Sequence, residues 1–123
     1  MLIARKLRSF GYAITGIKIA WREEFNFRVD VVCAIVTLTV GWFLSITRTE
    51  WMFVIAMIGF VLAAETFNTA LEEFCDMVKS EHDPHIAKIK DLAAGATLVA
   101  AITAFCVGCD IFIPHFLTLF SLS

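Results

Sequence analysis

Glu65, Asn68, Glu72 and Asp76 follow one another at intervals of three, four and four residues, directly after an uncharged apolar run over 51–64. At about 100° per residue, these side chains fall on one narrow face of a helix. Ionisable groups at membrane depth are expensive to bury and mark functional sites by default. Glu72, together with Glu24 just before the first apolar segment, offers carboxylate oxygens to Mg²⁺, an ion that takes one or two carboxylates plus substrate phosphates. Asn68 can donate to or orient either carboxylate. Glu65, the deepest of the four, suits a general base acting on a hydroxyl. The same residues suit equally well a polar network gluing helices together, and spacing leaves both readings open.

A second group is Lys88, Lys90 and Asp91, followed by the small residues Ala93, Ala94, Gly95 and Ala96. The lysines could neutralise phosphates and Asp91 could hold a metal or a nucleotide. Taken alone, the pattern fits ordinary basic flanking of a membrane span beside a close-packing face even better. There is neither a Gly-x-x-x-x-Gly-Lys-Ser/Thr loop nor a protein-kinase catalytic loop. Any phosphoryl transfer must therefore use carboxylates, metal and lysine on helices, which is chemically sufficient because such transfer depends mainly on positioning and charge stabilisation.

Cys33, Cys75, Cys106 and Cys109 read as small packing residues, since Cys106-x-x-Cys109 falls inside an apolar segment. His82-x-x-His85, beside Glu81 and Asp83, could bind a transition metal but reads more simply as part of an exposed interfacial loop. His115 reads as an interfacial side chain, and Trp21, Trp42, Trp51 and Tyr12 as interfacial anchors or packing residues.

The elements that must position these groups are helices in a bilayer. Of 123 residues 59% are hydrophobic, and the formal net charge of −2 offers no basic surface for nucleic acid. The length allows a single domain over 1–123. Three spans are expected, at about 29–47, 51–72 and 91–112. Ahead of them Ile3, Leu7, Phe10, Ile14, Ile17 and Trp21 recur at helical spacing, which predicts an amphipathic surface helix over about 2–23. Basic residues gather before the first span and in the 79–91 loop, so the N-terminus and that loop are expected in the cytoplasm. Pro84 is expected to end or interrupt helix there. For a helix entering at Trp51, Glu65 lies ~21 Å along and Asp76 ~37 Å along. In a hydrocarbon layer ~30 Å thick, the strip crosses the cytoplasmic boundary and could join a group held in lipid to one held in water.

The run Glu65-Thr66-Phe67-Asn68-Thr69-Ala70-Leu71-Glu72, then Asp76, His82 to Pro84 and Lys88 to Ala96, resembles the prokaryotic diacylglycerol kinase family. Arg5, Gly11-Tyr12, Trp21, Glu24 and Asn26-Phe27-Arg28 match in order as well, so the resemblance covers nearly the whole chain. It implies a small three-span lipid kinase of the bacterial cytoplasmic membrane, working as a homotrimer with each site shared between neighbouring subunits. By position, it implies Glu65 as catalytic base and Glu24 and Glu72 as ligands of the Mg²⁺–ATP complex, with Asn68 and Asp76 in support. Arg5, Tyr12, Glu81, His82, Asp83, Lys90 and Asp91 would contact the nucleotide. Asn26-Phe27-Arg28, the 48–51 and 93–96 runs and Ile111 to Pro114 look more like the undecaprenol kinase branch, although His82, His85 and Ile89 depart from its usual pattern. Undecaprenol is thus favoured over diacylglycerol as the lipid, but both are membrane alcohols and composition does not separate them.

A rival reading from another class is a small proton-coupled transporter with Glu65 as its intramembrane carboxylate. It needs neither carboxylates continuing towards water at Glu72 and Asp76 nor Lys90-Asp91 facing them.

Overall fold

The structure, a computed structural model, describes residues 1–78 and 83–121. Among these, all regular structure is helical: α1 Leu2–Glu23, α2 Phe25–Leu44, α3 Arg48–Val78 and α4 Pro84–Ser121. Three of them, α2, α3 and α4, are long and apolar enough to cross a membrane. At ~1.5 Å per residue, α3 is ~46 Å and α4 ~57 Å long, so both overrun a ~30 Å hydrocarbon layer. Their ends therefore reach past the expected spans and can carry polar groups in the interface.

Each boundary has a local cause. Glu24 is the one residue between α1 and α2, with extended backbone (φ −111°, ψ 111°). Its N–H still closes α1 onto Ala20 O at 3.0 Å, while its carbonyl accepts the first bond of α2 from Arg28 N at 3.3 Å. At the other end of α2, Ser45 takes a left-handed conformation (φ 54°). Its N–H donates to Trp42 O and the Ile46 N–H to Gly41 O, pairing carbonyls that a helix end leaves unmet.

Thr47 and Glu50 then form a reciprocal capping box for α3. Thr47 N donates to Glu50 Oε1 at 2.9 Å and Glu50 N to Thr47 Oγ1 at 3.2 Å. Pro84 opens α4 rather than interrupting helix. Its missing N–H costs nothing in the first turn, and Asp83 caps the end by accepting from His85 N at 2.8 Å. Near the other end of α4, Pro114 is carried within the helix.

The most extensive packing is between α3 and α4, and one buried apolar cluster lies beside the α2–α3 turn. Ile46, Val54 and Ile111 are buried there, with Trp51, Ile58, Val107 and Phe112 against them. Gly41 is required for this closure, because a Cβ at that position would lie 3.0 Å from the Trp51 ring. His115 reaches back from α4 to Glu50, with Nε2 2.9 Å from Oε1, tying the start of α3 to α4. The four cysteines are free: Cys75 is fully buried and Cys33 and Cys106 are exposed. The helix α1 buries Ala20 near its C-terminal end, whereas Ile3, Leu7, Phe10, Ile14, Ile17 and Trp21 remain exposed on the single chain.

Candidate active site

Glu65 is the one charged residue that is buried among the described residues, at 8% exposure. It sits on α3, where the hydroxyls of Thr66 and Thr69 turn back to the carbonyls of Leu62 and Glu65 at 2.8 and 3.0 Å. Those hydroxyls are thereby satisfied within their own helix, which leaves Glu65, Asn68, Glu72 and Asp76 as the polar groups of the strip free to meet partners outside it. One turn further on, Asn68 Nδ2 donates to Glu72 Oε1 at 3.2 Å. The amide oxygen of Asn68 is buried and has no hydrogen-bond partner within the protein. A buried acceptor beside a carboxylate is matched by a donor or a cation from outside this chain's described residues.

The α1–α2 corner brings Glu24 to this strip. Glu24 and Glu65 each lie within electrostatic range of Glu72, and Glu65 also of Glu24 and Asp30. Burial, then Glu72 and Glu23, pushes the Glu24 carboxyl above the ordinary carboxylate range, against the opposing pull of Arg28. Like charges crowd here, which is the electrostatic condition for holding a cation. Among the described residues, no group of three or more acidic, His or Cys side chains is placed to hold a metal ion. Two carboxylates and an amide oxygen match Mg²⁺ instead, which leaves most of its coordination to water and substrate phosphates.

Asp30 also belongs to this cluster, although the sequence alone does not single it out. Half-buried on α2, it lines one end of an apolar groove of about 540 Å³ between α2, α3 and α4. Leu62 lines the groove near that end, and Val54 and Phe116 line it further away. No spacing signal ties Asp30 to the strip, because the two meet only through the packing of α2 on α3.

The remaining sequence candidates are spread out. Asp76 accepts from Lys90 Nζ at 2.5 Å, linking α3 to α4 below the strip. Asp91 is turned ~100° from Lys90 and lines a separate groove with Lys88, Leu92 and Gly95. Lys90 and Asp91 therefore do not face the same partner. Asp83 caps α4, while Glu81 and His82 lie outside the described residues. Arg5 and Tyr12 are exposed on α1, and along that helix they stand ~28 and ~18 Å from Glu24. A single chain does not bring them to the carboxylate corner.

A bundle of three membrane-length helices, with a carboxylate–amide strip at the end where α1 joins, defines a small helical membrane protein with a polar candidate site inside its helices. The chain belongs to the prokaryotic diacylglycerol kinase family, whose family model matches residues 11–112. It is 34% identical over 110 residues to a protein of Bacillus subtilis named undecaprenol kinase, covering 89% of each chain. It is 27% identical over 112 residues to a protein of Escherichia coli K12 named diacylglycerol kinase, covering 91% of this chain and 92% of that one. A protein of Synechocystis also named diacylglycerol kinase is 34% identical over 114 residues, covering 92% of this chain and 65% of that one. Equal identity to relatives named for different lipids does not separate the substrates. The comparisons give the transporter reading no support.

Proposed function

We propose that this protein is an ATP-dependent lipid kinase that transfers the γ-phosphate to the hydroxyl of a membrane lipid alcohol at the cytoplasmic interface, with undecaprenol favoured over diacylglycerol. The observation that carries the reading is the buried Glu65 on one helix face with Asn68 and Glu72, within electrostatic range of Glu24 and Asp30. A base held in a water-poor place beside a cation site is the arrangement such a transfer needs.

In this reading Glu65 takes the proton from the lipid hydroxyl as its oxygen bonds to the γ-phosphorus and the bond to the ADP oxygen breaks. Glu24 and Glu72 hold the metal–nucleotide, and the Asn68 amide fixes the Glu72 carboxylate so that its free oxygen points outward. Bound Mg²⁺ would neutralise charge on the transferred and leaving oxygens. Lys90, poised on Asp76, and Asp91, turned to another face, would each contact a nucleotide at the cytoplasmic end of α4, in sites of different subunits of the proposed trimer, with Glu81, His82 and Asp83 in the connection before it. The apolar groove that begins at Asp30 suits the chain of a lipid whose hydroxyl reaches Glu65.

The chain works as one domain over 1–123, with the N-terminus and the 79–91 loop in the cytoplasm. The helix α1 lies on the membrane surface, where its exposed stripe from Ile3 to Trp21 meets lipid. The active unit is a homotrimer in which Arg5 and Tyr12 reach a neighbour's carboxylates. The test is transfer from γ-labelled ATP in mixed micelles, offering undecaprenol and diacylglycerol separately. Labelled undecaprenyl phosphate in excess over labelled phosphatidate is the expected result. The reverse preference would reassign the lipid, and no labelled product from either lipid would overturn the kinase reading.

A further inference from the structure

Glu24 is the one residue outside helix at the α1–α2 corner, so the direction of its side chain depends on the angle between the two helices. The structure holds that angle with Arg28. One turn into α2, Arg28 Nη1 donates to the Trp21 carbonyl at 2.8 Å and to the Arg22 carbonyl at 3.0 Å. Both carbonyls belong to the last turn of α1, where four carbonyls have no partner within the helix and where positive charge is favoured. The guanidinium also lies over the Phe25 ring, 5.9 Å from its centroid. Arg22 already stands in that last turn, yet the carbonyl cap comes from across the corner. A cap supplied from α2 can lock the two helices together; one supplied from α1 itself cannot.

We infer that Arg28 is a positioning residue for metal–nucleotide binding: it straps the end of α1 to the start of α2 and so aims Glu24 at Glu72. The inference rests on the proposed role of Glu24 as a metal ligand. Two backbone carbonyls are the partners, so charge alone is insufficient. A guanidinium nitrogen carries two protons in a fixed plane and spans both acceptors, whereas an ammonium is a flexible point donor. Residues that orient a metal ligand, without touching the metal, commonly change its affinity by about 10–100-fold when removed.

The experiment is a Mg²⁺ titration of kinase turnover at saturating lipid, with calorimetric titration of Mg²⁺–ATP binding in parallel, for wild type, Arg28→Leu, Arg28→Lys, Glu24→Gln and the Arg28→Leu/Glu24→Gln double variant. Helicity and elution in detergent serve as controls for folding. Arg28→Leu is expected to raise the half-saturating Mg²⁺ about tenfold with kcat within about twofold. Arg28→Lys is expected to fall in between. On the Glu24→Gln background, Arg28→Leu is expected to add nothing, because the residue that it aims is already gone. If Arg28→Leu fails to fold, Arg28→Lys carries the test. A loss of kcat with an unmoved Mg²⁺ curve would mean that Arg28 serves only to hold the fold, and an Arg28→Lys enzyme identical to wild type would mean that only its charge matters; either overturns the proposal. If Glu24→Gln shifts the curve and neither Arg28 variant does, the strap alone falls. If Glu24→Gln leaves the curve in place, the metal role of Glu24 falls and takes the Arg28 inference with it.

Discussion

At the scale of residues, Glu24 links the electrostatics to a measurable pH dependence. Burial first, then Glu72 and Glu23, holds its carboxyl above the usual value of 4.5. A raised folded-state value means that the folded protein keeps its proton longer than the unfolded chain does. The linked stability of the metal-free protein is therefore present below the ordinary carboxylate range and is lost as pH rises through the raised value. Metal binding runs the other way, since only the carboxylate ligates. Half-saturating Mg²⁺ is expected to climb as pH falls, starting above pH 4.5, and the onset should move to lower pH in Glu23→Gln, which removes a neighbouring negative charge that is not a proposed ligand. Mg²⁺ titrations at stepped pH check this; an onset unmoved by Glu23→Gln would contradict the coupling. The strip was legible in the sequence because its residues share one helix and helical spacing reveals a shared face. Asp30 and the Arg28 strap were not: Asp30 joins through tertiary packing, and backbone carbonyls leave no trace in residue types.

At the scale of elements, the helices were legible from apolar runs and their endings were read less well. The capping box at Thr47 and Glu50 was a readable Thr-x-x-Glu signal that the reading passed over, and the cap at Asp83 turned Pro84 from a break into a helix start. The pairing of His115 with Glu50 joins residues 65 apart in sequence, so no local pattern announces it. The α2–α3 turn also carries a prediction. A side chain at Gly41 would meet the Trp51 ring and Ile46, so Gly41→Val should lower stability by about 1–3 kcal/mol, as overpacking does. Gly41 is ~26 Å along α2 from Glu24, so turnover per folded enzyme and its Mg²⁺ dependence should stay unchanged at permissive temperature. Thermal inactivation and Mg²⁺ titration together check this; an unshifted inactivation midpoint would contradict the packing account.

At the scale of the whole molecule, the single chain exposes more surface than a compact soluble protein of its size. Its accessible surface is 9443 Å², whereas a compact soluble monomer of 13.7 kDa exposes about 6,600 Å². The exposed large hydrophobic side chains run from Ile3 on α1 to Phe120 on α4, a surface that suits contact with lipid. The composition made the membrane legible, whereas a subunit contact depends on complementary surfaces that one chain does not display. The distance of Arg5 from the carboxylate corner gives the proposed trimer a direct test. Arg5→Gln and Glu65→Gln subunits, each inactive alone, should regain activity when unfolded together and reassembled. Random mixing in equal amounts would restore about a quarter of the sites if each takes Arg5 from one subunit and Glu65 from the next in a closed ring. No regained activity would mean that each chain completes its own site.

The central claim is that Glu65 is the base in a lipid phosphorylation, and one measurement tests it most directly: single-turnover transfer from γ-labelled ATP to undecaprenol by Glu65→Gln, alongside Mg²⁺–ATP binding by the same protein. Removal of a general base should slow transfer by about 10²–10⁴-fold, while nucleotide binding stays close to wild type because Glu24 and Glu72 are untouched. Transfer at the wild-type rate, with binding intact, would contradict the assignment.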